Sequence, residues 1–301
     1  MSVEMVAQVR RFNRVVTRSA GVLNENYLAS GRSLGQDRLL WEIGVQGCDV
    51  RDLRSRLGLD SGYLSRLLRA LQREGLIMVV PSATDRRVRT AELTAAGRRE
   101  LETLNNRSDD MAASILTPLT VSQQERLVSA MAQVERLLTA SAVRVEQCDP
   151  RHPDARYCLA TYYTELAQRF HDGYDPAVSP VADDEMTPPA GLLLVASLHG
   201  QPVGCGAVIW YPDGVALVKR MWVAASVRGL GLGRRLLTEL EARAERHGAG
   251  LMRLETKAEL VEAQQMYRAC GYREVAPFND EFYADHWFEK PLSEIRVGRR
   301  D

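Results

Sequence analysis

The spacing of apolar residues changes near residue 141, and that change constrains the fold more than any single motif. Residues 3–139 carry apolar side chains at helical spacing almost without a break. Beyond Ala142, short runs rich in β-formers alternate with helical stretches. A chain of 301 residues has room for about two domains of ordinary size. The switch therefore predicts a mainly helical domain over residues 1–141 and an α/β domain over 142–301. No apolar run nears the roughly 18 residues of a membrane span. The N-terminus lacks a basic segment followed by an apolar one, so no secretory signal is expected. Five scattered cysteines without a CxxC pair fit free thiols in a reducing cytoplasm, with no metal site.

Within the first domain, Val3–Leu28 and Leu34–Val45 read as helices. Asp49–Gly58 is a third, with Asp49 as N-cap and Gly58 as stop. Asp60–Gly75 is a fourth, with leucines at 64, 67, 68 and 71 on one stripe. Leu76–Val80 and Arg87–Leu93 flank a polar turn and predict a hairpin. Thr94 caps a helix reaching Leu116, Pro118 ends it, and Thr120–Leu138 is the last. Two short helices joined by Leu57–Asp60 and followed by a hairpin have the spacing of a winged helix-turn-helix. Ser61, Gly62, Tyr63, Ser65 and Arg66 open the second helix. Short hydroxyls and a glycine approach phosphates closely, and Arg66 or Arg69 can hold a guanine edge with two hydrogen bonds. At the hairpin tip, Asp85 beside Arg86, Arg87 and Arg89 can fix an arginine for minor-groove entry. Residues 1–141 carry about +4 and the remainder about −4, which suits a polyanion partner for the first domain.

These residues resemble the MarR family of winged-helix regulators. The resemblance lies in LGLDSGYLSRLLRALQREGLI followed by PSATDRRVRTAELTAAG, with its Asp85-x-Arg87 wing. It implies a homodimer formed by the first and last helices of the domain. It also implies double-stranded palindromic DNA as target, with half-sites about one helical turn apart. The family usually binds a small effector in a crevice; Trp41, Tyr27 and Phe12 are candidates for its wall, but read first as core residues.

The second domain is marked by Arg228-Gly229-Leu230-Gly231-Leu232-Gly233 between a strand and an amphipathic helix. No Walker lysine follows and the dinucleotide spacing is absent, so nucleotide hydrolysis is not expected. Backbone N–H groups free of Cβ atoms at a helix N-terminus still suit a pyrophosphate. Before the loop, Gly191–Leu198, Pro202–Tyr211 and Gly214–Val223 predict a three-strand meander. After it come the helix to about His247, the strand Gly250–Thr256, the helix Leu260–Cys270 and an extended end.

The loop resembles motif A of the Gcn5-related N-acetyltransferases (GNAT), through Arg228, Gly231 and Gly233. EAQQMYRACGYREV resembles a second motif of that family, through Ala263, Tyr267, Gly271 and Tyr272. The resemblance implies the GNAT acyl-CoA transferase fold with acetyl-CoA as cofactor. Arg228, Gly229, Leu230, Gly231, Leu232, Gly233 and Arg234 would hold the pyrophosphate, and Met221, Trp222 and Val223 the pantetheine. Val223 N–H would polarise the carbonyl and Tyr267 would protonate the departing sulfur. The family often carries a glutamate on the strand before the loop, but here ALVKRMWV places Leu217, Lys219 and Arg220 there. Glu255, or a water held by His286, is the expected base. Arg220, Asn279 and His286 are the expected substrate contacts, with Arg220 able to pair with a substrate carboxylate. The expected function is a transcriptional regulator that also acetylates a small amine or amino-acid-like acceptor by direct transfer. In the alternative, a DNA-binding transcription factor uses the second domain only to sense acetyl-CoA or a metabolite.

Overall fold

A computed structural model describes residues 2–19, 27–81 and 88–292, apart from the side chain of Tyr27. The chain divides into two compact units, Met1–Ala132 and Gln133–Asp301. In the first, α1 (Val3–Ser19) buries none of its residues. A capping box of Ser33 and Gln36 starts α2 (Leu34–Ile43). Then follow β1 (Cys48–Asp49), α3 (Val50–Leu57) and α4 (Ser61–Arg73). Gly58, left-handed at φ 61°, ends α3, and Asp60 caps α4 by accepting from Tyr63 N at 2.9 Å. β2 (Ile77–Pro81) and β3 (Arg89–Leu93) form the hairpin, and β1 adds to the outer side of β3. Thr94 starts α5 (Ala95–Leu116), accepting from Gly97 N at 3.0 Å while donating to Gly75 O at 2.7 Å.

The stripe Leu64, Leu67, Leu68 and Leu71 packs with Leu39, Leu40, Leu53, Ala91 and Leu104 into one core. An ion cluster missed by the sequence pattern sits at its edge. Fully buried Asp37 accepts from Ser30 Oγ at 2.6 Å and Arg32 Nε at 3.1 Å, and Arg32 also reaches Glu100 and Glu74. The wing-tip residues Asp85, Arg86 and Arg87 lie outside the described residues, as do residues 20–26 of the first expected helix. Phe12 is 40% exposed and Trp41 half-buried, its Nε1 donating to Asn105 Oδ1 at 2.8 Å.

The helix α6 (Val121–Ala142) continues past the division at Ala132, and Val143 alone separates it from β4 (Arg144–Cys148). The expected boundary, 141/142, falls at its last turn. In the second unit come α7 (Pro153–Arg169), β5 (Gly191–Leu198), β6 (Gln201–Trp210), β7 (Val215–Val223) and α8 (Leu232–His247). β8 (Leu251–Thr256), α9 (Val261–Ala269), β9 (Arg273–Val275) and β10 (His286–Pro291) complete it. Seven strands form one sheet in the order β4-β5-β6-β7-β8-β10-β9. The extended end expected after Cys270 is thus two strands, with β10 inserted between β8 and β9. Alternate residues of β5 face opposite sides: Leu192 and Leu194 pack with α8, Leu193 and Val195 with α7.

Two irregularities in β7 open this sheet. β7 and β8 pair in parallel only over Val215–Leu217 and Leu251–Arg253. Opposite Cys205 and Ala207 the register with β6 shifts, and Arg220 adopts φ 56°. A β-bulge of this kind bends the strand and re-aims its side chains.

Candidate functional site

Beyond Leu217 and Arg253 the backbones of the two parallel strands no longer pair. Their separation leaves a cleft walled by α7 and α9, with two cavities that share lining residues. The outer groove has a volume of about 690 Å³ and the inner cavity about 90 Å³. Tyr162, Met221, Ala263 and Tyr267 border both.

The outer groove contains the glycine loop. Gly229 and Gly231 have φ 78° and 77°, a region in which an L side chain is strained. Gly231 is the N-cap of α8 and gives it no side-chain cap. The first N–H groups of the helix thus need another acceptor, and an anion suits them. Gly233 keeps α8 close to α9, since a Cβ there would lie 2.9 Å from Met266 Sδ. Of the expected cofactor residues, Met221, Trp222, Val223, Arg228, Gly229, Gly231, Leu232, Gly233 and Arg234 all border the groove. Leu230 does not; it packs against the apolar core.

Arg228 is held from two sides. Its Nη2 lies 2.6 Å from both oxygens of Glu165, and its Nε donates to Val223 O at 3.0 Å. Glu165 also accepts from Trp222 Nε1 at 2.9 Å. Burial works to raise the Glu165 pKa, but Arg228 and Trp222 outweigh it and hold the carboxyl below its usual range. The arginine therefore fixes the backbone of Val223 relative to the loop. Nothing in the local sequence around Glu165 announces this role, because its partners lie 57 and 63 residues away.

Tyr267 is 5% exposed, and burial raises its pKa, so the phenol keeps its proton. On the inner side, Glu255 has a 4% exposed side chain and pairs with Lys219. Lys219 Nζ also lies 2.7 Å from Glu281 Oε2. Burial raises the Glu255 pKa, and the nearby Lys219 charge only partly opposes it. Burial pulls Lys219 down, yet the two carboxylates outweigh it and raise its pKa. Arg220 donates to Tyr174 Oη at 2.9 Å and to Ser179 O at 2.6 Å, and lies over the Tyr163 ring at 5.2 Å. Burial pushes the Tyr174 hydroxyl up to about 12.

The expected substrate contacts separate. Arg220 lines the inner cavity; Asn279 and His286 do not. His286 is turned to Glu274, with Nδ1 2.6 Å from Oε1, because β10 pairs there with β9. A water held by His286 at the inner cavity is therefore not what the geometry offers. Asn279 accepts from Trp287 Nε1 at 2.7 Å and lies near enough to Glu255 to favour its charge. Lys219, Glu281 and Tyr174 were not singled out as acceptor-side groups by sequence, since no motif spans the loops that bring them together.

In the first unit, α4 turns its leucines inward and leaves Ser61, Gly62, Tyr63, Arg66 and Arg69 exposed. Ser65 is half-buried and its hydroxyl donates to Ser61 O at 2.7 Å. Arg66 lies over the Tyr63 ring at 5.5 Å. These side chains form one outward face suited to a duplex groove.

Comparison with known proteins finds a family match within each unit. A family model described as acetyltransferase (GNAT) family matches residues 159–272, and one for the MarR family matches residues 30–88. A protein of Azospirillum brasilense named IAA acetyltransferase is 40% identical over 86 residues, which is 28% of this chain and 56% of that protein. An uncharacterized N-acetyltransferase of Schizosaccharomyces pombe is 34% identical over 105 residues, covering 32% of this chain and 64% of its own. The chain thus spans less than two thirds of either relative. A solved GNAT acetyltransferase from Staphylococcus aureus Mu50 aligns at 18% identity with TM-score 0.45, covering 50% of this chain and 100% of its own.

Proposed function

We propose that this chain, which joins a MarR-family segment to a domain of the acetyltransferase (GNAT) family, transfers the acetyl group of acetyl-CoA to a small primary amine and also binds DNA. The observation that carries the enzymatic half is the cleft itself. A capless helix N-terminus with two left-handed glycines, an opened strand edge and buried Tyr267 border one continuous space.

The parts fit coenzyme A. The N–H groups from Gly229 to Gly233, with Arg234 nearby, would hold a pyrophosphate at the α8 terminus. When bound, acetyl-CoA supplies the activated thioester. Val223 N–H, fixed through Arg228, would donate to the thioester oxygen. Glu255 would take the proton that the amine loses as the C–N bond forms. Its burial suits it to that role, because a raised pKa makes a stronger base. Tyr267 would give its proton to the sulfur as the C–S bond breaks.

For the DNA-binding half, the exposed face of α4 enters a major groove, while Asp85, Arg86 and Arg87, which lie outside the described residues, are proposed from sequence alone to reach a minor groove. The chain acts as a homodimer on palindromic DNA in the cytoplasm, with a small effector as a further partner. The apolar faces of α1 and α6 support the dimer. Val3, Met5, Val9 and Val15 of α1 and Val121, Met131, Leu137 and Leu138 of α6 are all exposed by half or more. No helix among the described residues is long and apolar enough to cross a membrane.

A sensor that binds acetyl-CoA without turnover is favoured by one observation, the ion pair that ties Glu255 to Lys219. Titration of coenzyme A by calorimetry, combined with detection of acetylated amines by mass spectrometry, separates the readings. Binding with product supports the enzyme; binding without product from any amine supports the sensor.

A further inference from the structure

The inner cavity holds two neighbouring cations in opposite electrostatic states. Lys219 is neutralised by Glu255 and Glu281. Arg220 is not. It is 5% exposed, and its hydrogen-bond partners among the described residues are a tyrosine hydroxyl and a backbone carbonyl, both neutral. Its Nε is buried without a hydrogen-bond partner. The positive φ of Arg220 on the β7 bulge gives that guanidinium its place in the cavity wall. Glu255 lines the same cavity, and its Oε2 is also buried without a hydrogen-bond partner, although Asn279 lies near enough to favour its charge. Burying a charged group with an unfilled donor or acceptor is costly, so Arg220 Nε and the second oxygen of Glu255, whose first oxygen pairs with Lys219, favour a ligand that completes them.

The two orphans have opposite sign and border a space of about 90 Å³. The pyrophosphate of the cofactor does not meet this need, because Arg220 does not border the outer groove. A simple amine would complete Glu255 but leave Arg220 as it is. We infer that the acceptor is a small zwitterionic amino acid, its carboxylate on Arg220 and its amino group facing Glu255. This rests on the reading of the cleft as an acetyl-transfer site. The step balances on named groups: the bound ammonium first releases one proton to solvent, the neutral amino nitrogen bonds to the acetyl carbon and passes its second proton to Glu255, the C–S bond breaks as Tyr267 protonates the sulfur, and the proton held by Glu255 restores the tyrosine through solvent. The product has lost its ammonium charge, so its hold on Glu255 weakens while its carboxylate still faces Arg220, which favours release.

The test compares glycine, L-alanine and L-serine with their carboxamides and with ethylamine. Binding is measured by calorimetry with and without coenzyme A, and acetylation by mass spectrometry. The free acids are expected to bind at least about tenfold tighter than the amides, since the amides leave the buried guanidinium unpaired. In Arg220→Lys and Arg220→Gln that preference should fall below about threefold. Glu255→Gln should keep the preference for the acid while losing acetylation. Equal binding of acids and amides to the wild type, or no binding of any amino acid, overturns the inference without reference to a variant. Failure of coenzyme A to bind instead overturns the acetyl-transfer reading, and the titrations without coenzyme A still judge the carboxylate preference.

Discussion

Replacing Lys219 by Met tests the electrostatics of the inner cavity most sharply. The side chains of Lys219, Glu255 and Glu281 are 13%, 4% and 14% exposed, so solvent screens little of what the lysine contributes. Met keeps the unbranched apolar stem, one atom shorter, but leaves two carboxylates without their cation. Removing one member of a buried ion cluster costs about 3–5 kcal/mol. For a unit of this size that is a fall of about 10 °C in melting temperature. The sign of the pH dependence follows from Glu255. Its folded pKa already lies above its unfolded value, so its ionised form opposes folding, and losing Lys219 raises that pKa further. The deficit relative to wild type should be largest near pH 8 and shrink toward about pH 5, as Glu255 takes up a proton. Glu281 acts in the opposite sense: its pKa is depressed in the wild type, against its burial, by Lys219 and Ser179. Its share of the deficit is present above its unfolded pKa and also disappears on acidification. Urea unfolding of the full chain, followed by tryptophan fluorescence at several pH values, measures the effect. A loss under about 1 kcal/mol at neutral pH, or one that does not change with pH, would refute the account of this cluster.

Other perturbations address the remaining parts. Gly97→Ala places a Cβ 2.0 Å from Leu76 O, a backbone atom that cannot step aside, and should cost about 3 kcal/mol or more in the first unit; a neutral effect in calorimetric melting would contradict that packing. Arg228→Ala frees the Val223 backbone and leaves Glu165 without its main partner, so coenzyme A should bind about tenfold more weakly by titration, and a change under about twofold would remove the brace from the account. Arg66→Gln should weaken operator binding by about 1–3 kcal/mol if it reads a base, whereas Arg69→Gln should reduce the salt slope by about one if it contacts phosphate; gel-shift titrations at several salt concentrations that show neither would undo the α4 assignment.

What was legible in the sequence were features written in neighbouring residues. The leucine stripe of α4, its Asp60 cap and the Gly58 stop depend on residues within a few turns, and they match the structure. The glycine loop and the helix after it were legible for the same reason, as were Tyr267 and Tyr272 at their motif spacing. The opening between β7 and β8 was not derivable from residue patterns, because it is a failure of pairing between strands, not a pattern within one. The carboxylate partners of Lys219 and Arg228 lie 36 to 63 residues away, joined only by sheet order and by loops without a motif. His286 shows the converse. A histidine near the expected acceptor site suggested a role there, but pairing of β10 with β9 carries its ring to Glu274.

The central claim is that the cleft moves an acetyl group and that Tyr267 supplies the proton. The most direct measurement is single-turnover acetyl transfer from acetyl-CoA to an amine panel, with coenzyme A affinity measured in parallel for wild type and Tyr267→Phe. The account predicts acetylated product from the wild type, a rate about 10²–10⁴ lower in the variant and nearly unchanged coenzyme A affinity. Coenzyme A bound tightly by both proteins, with no acetylated amine from either, would contradict it.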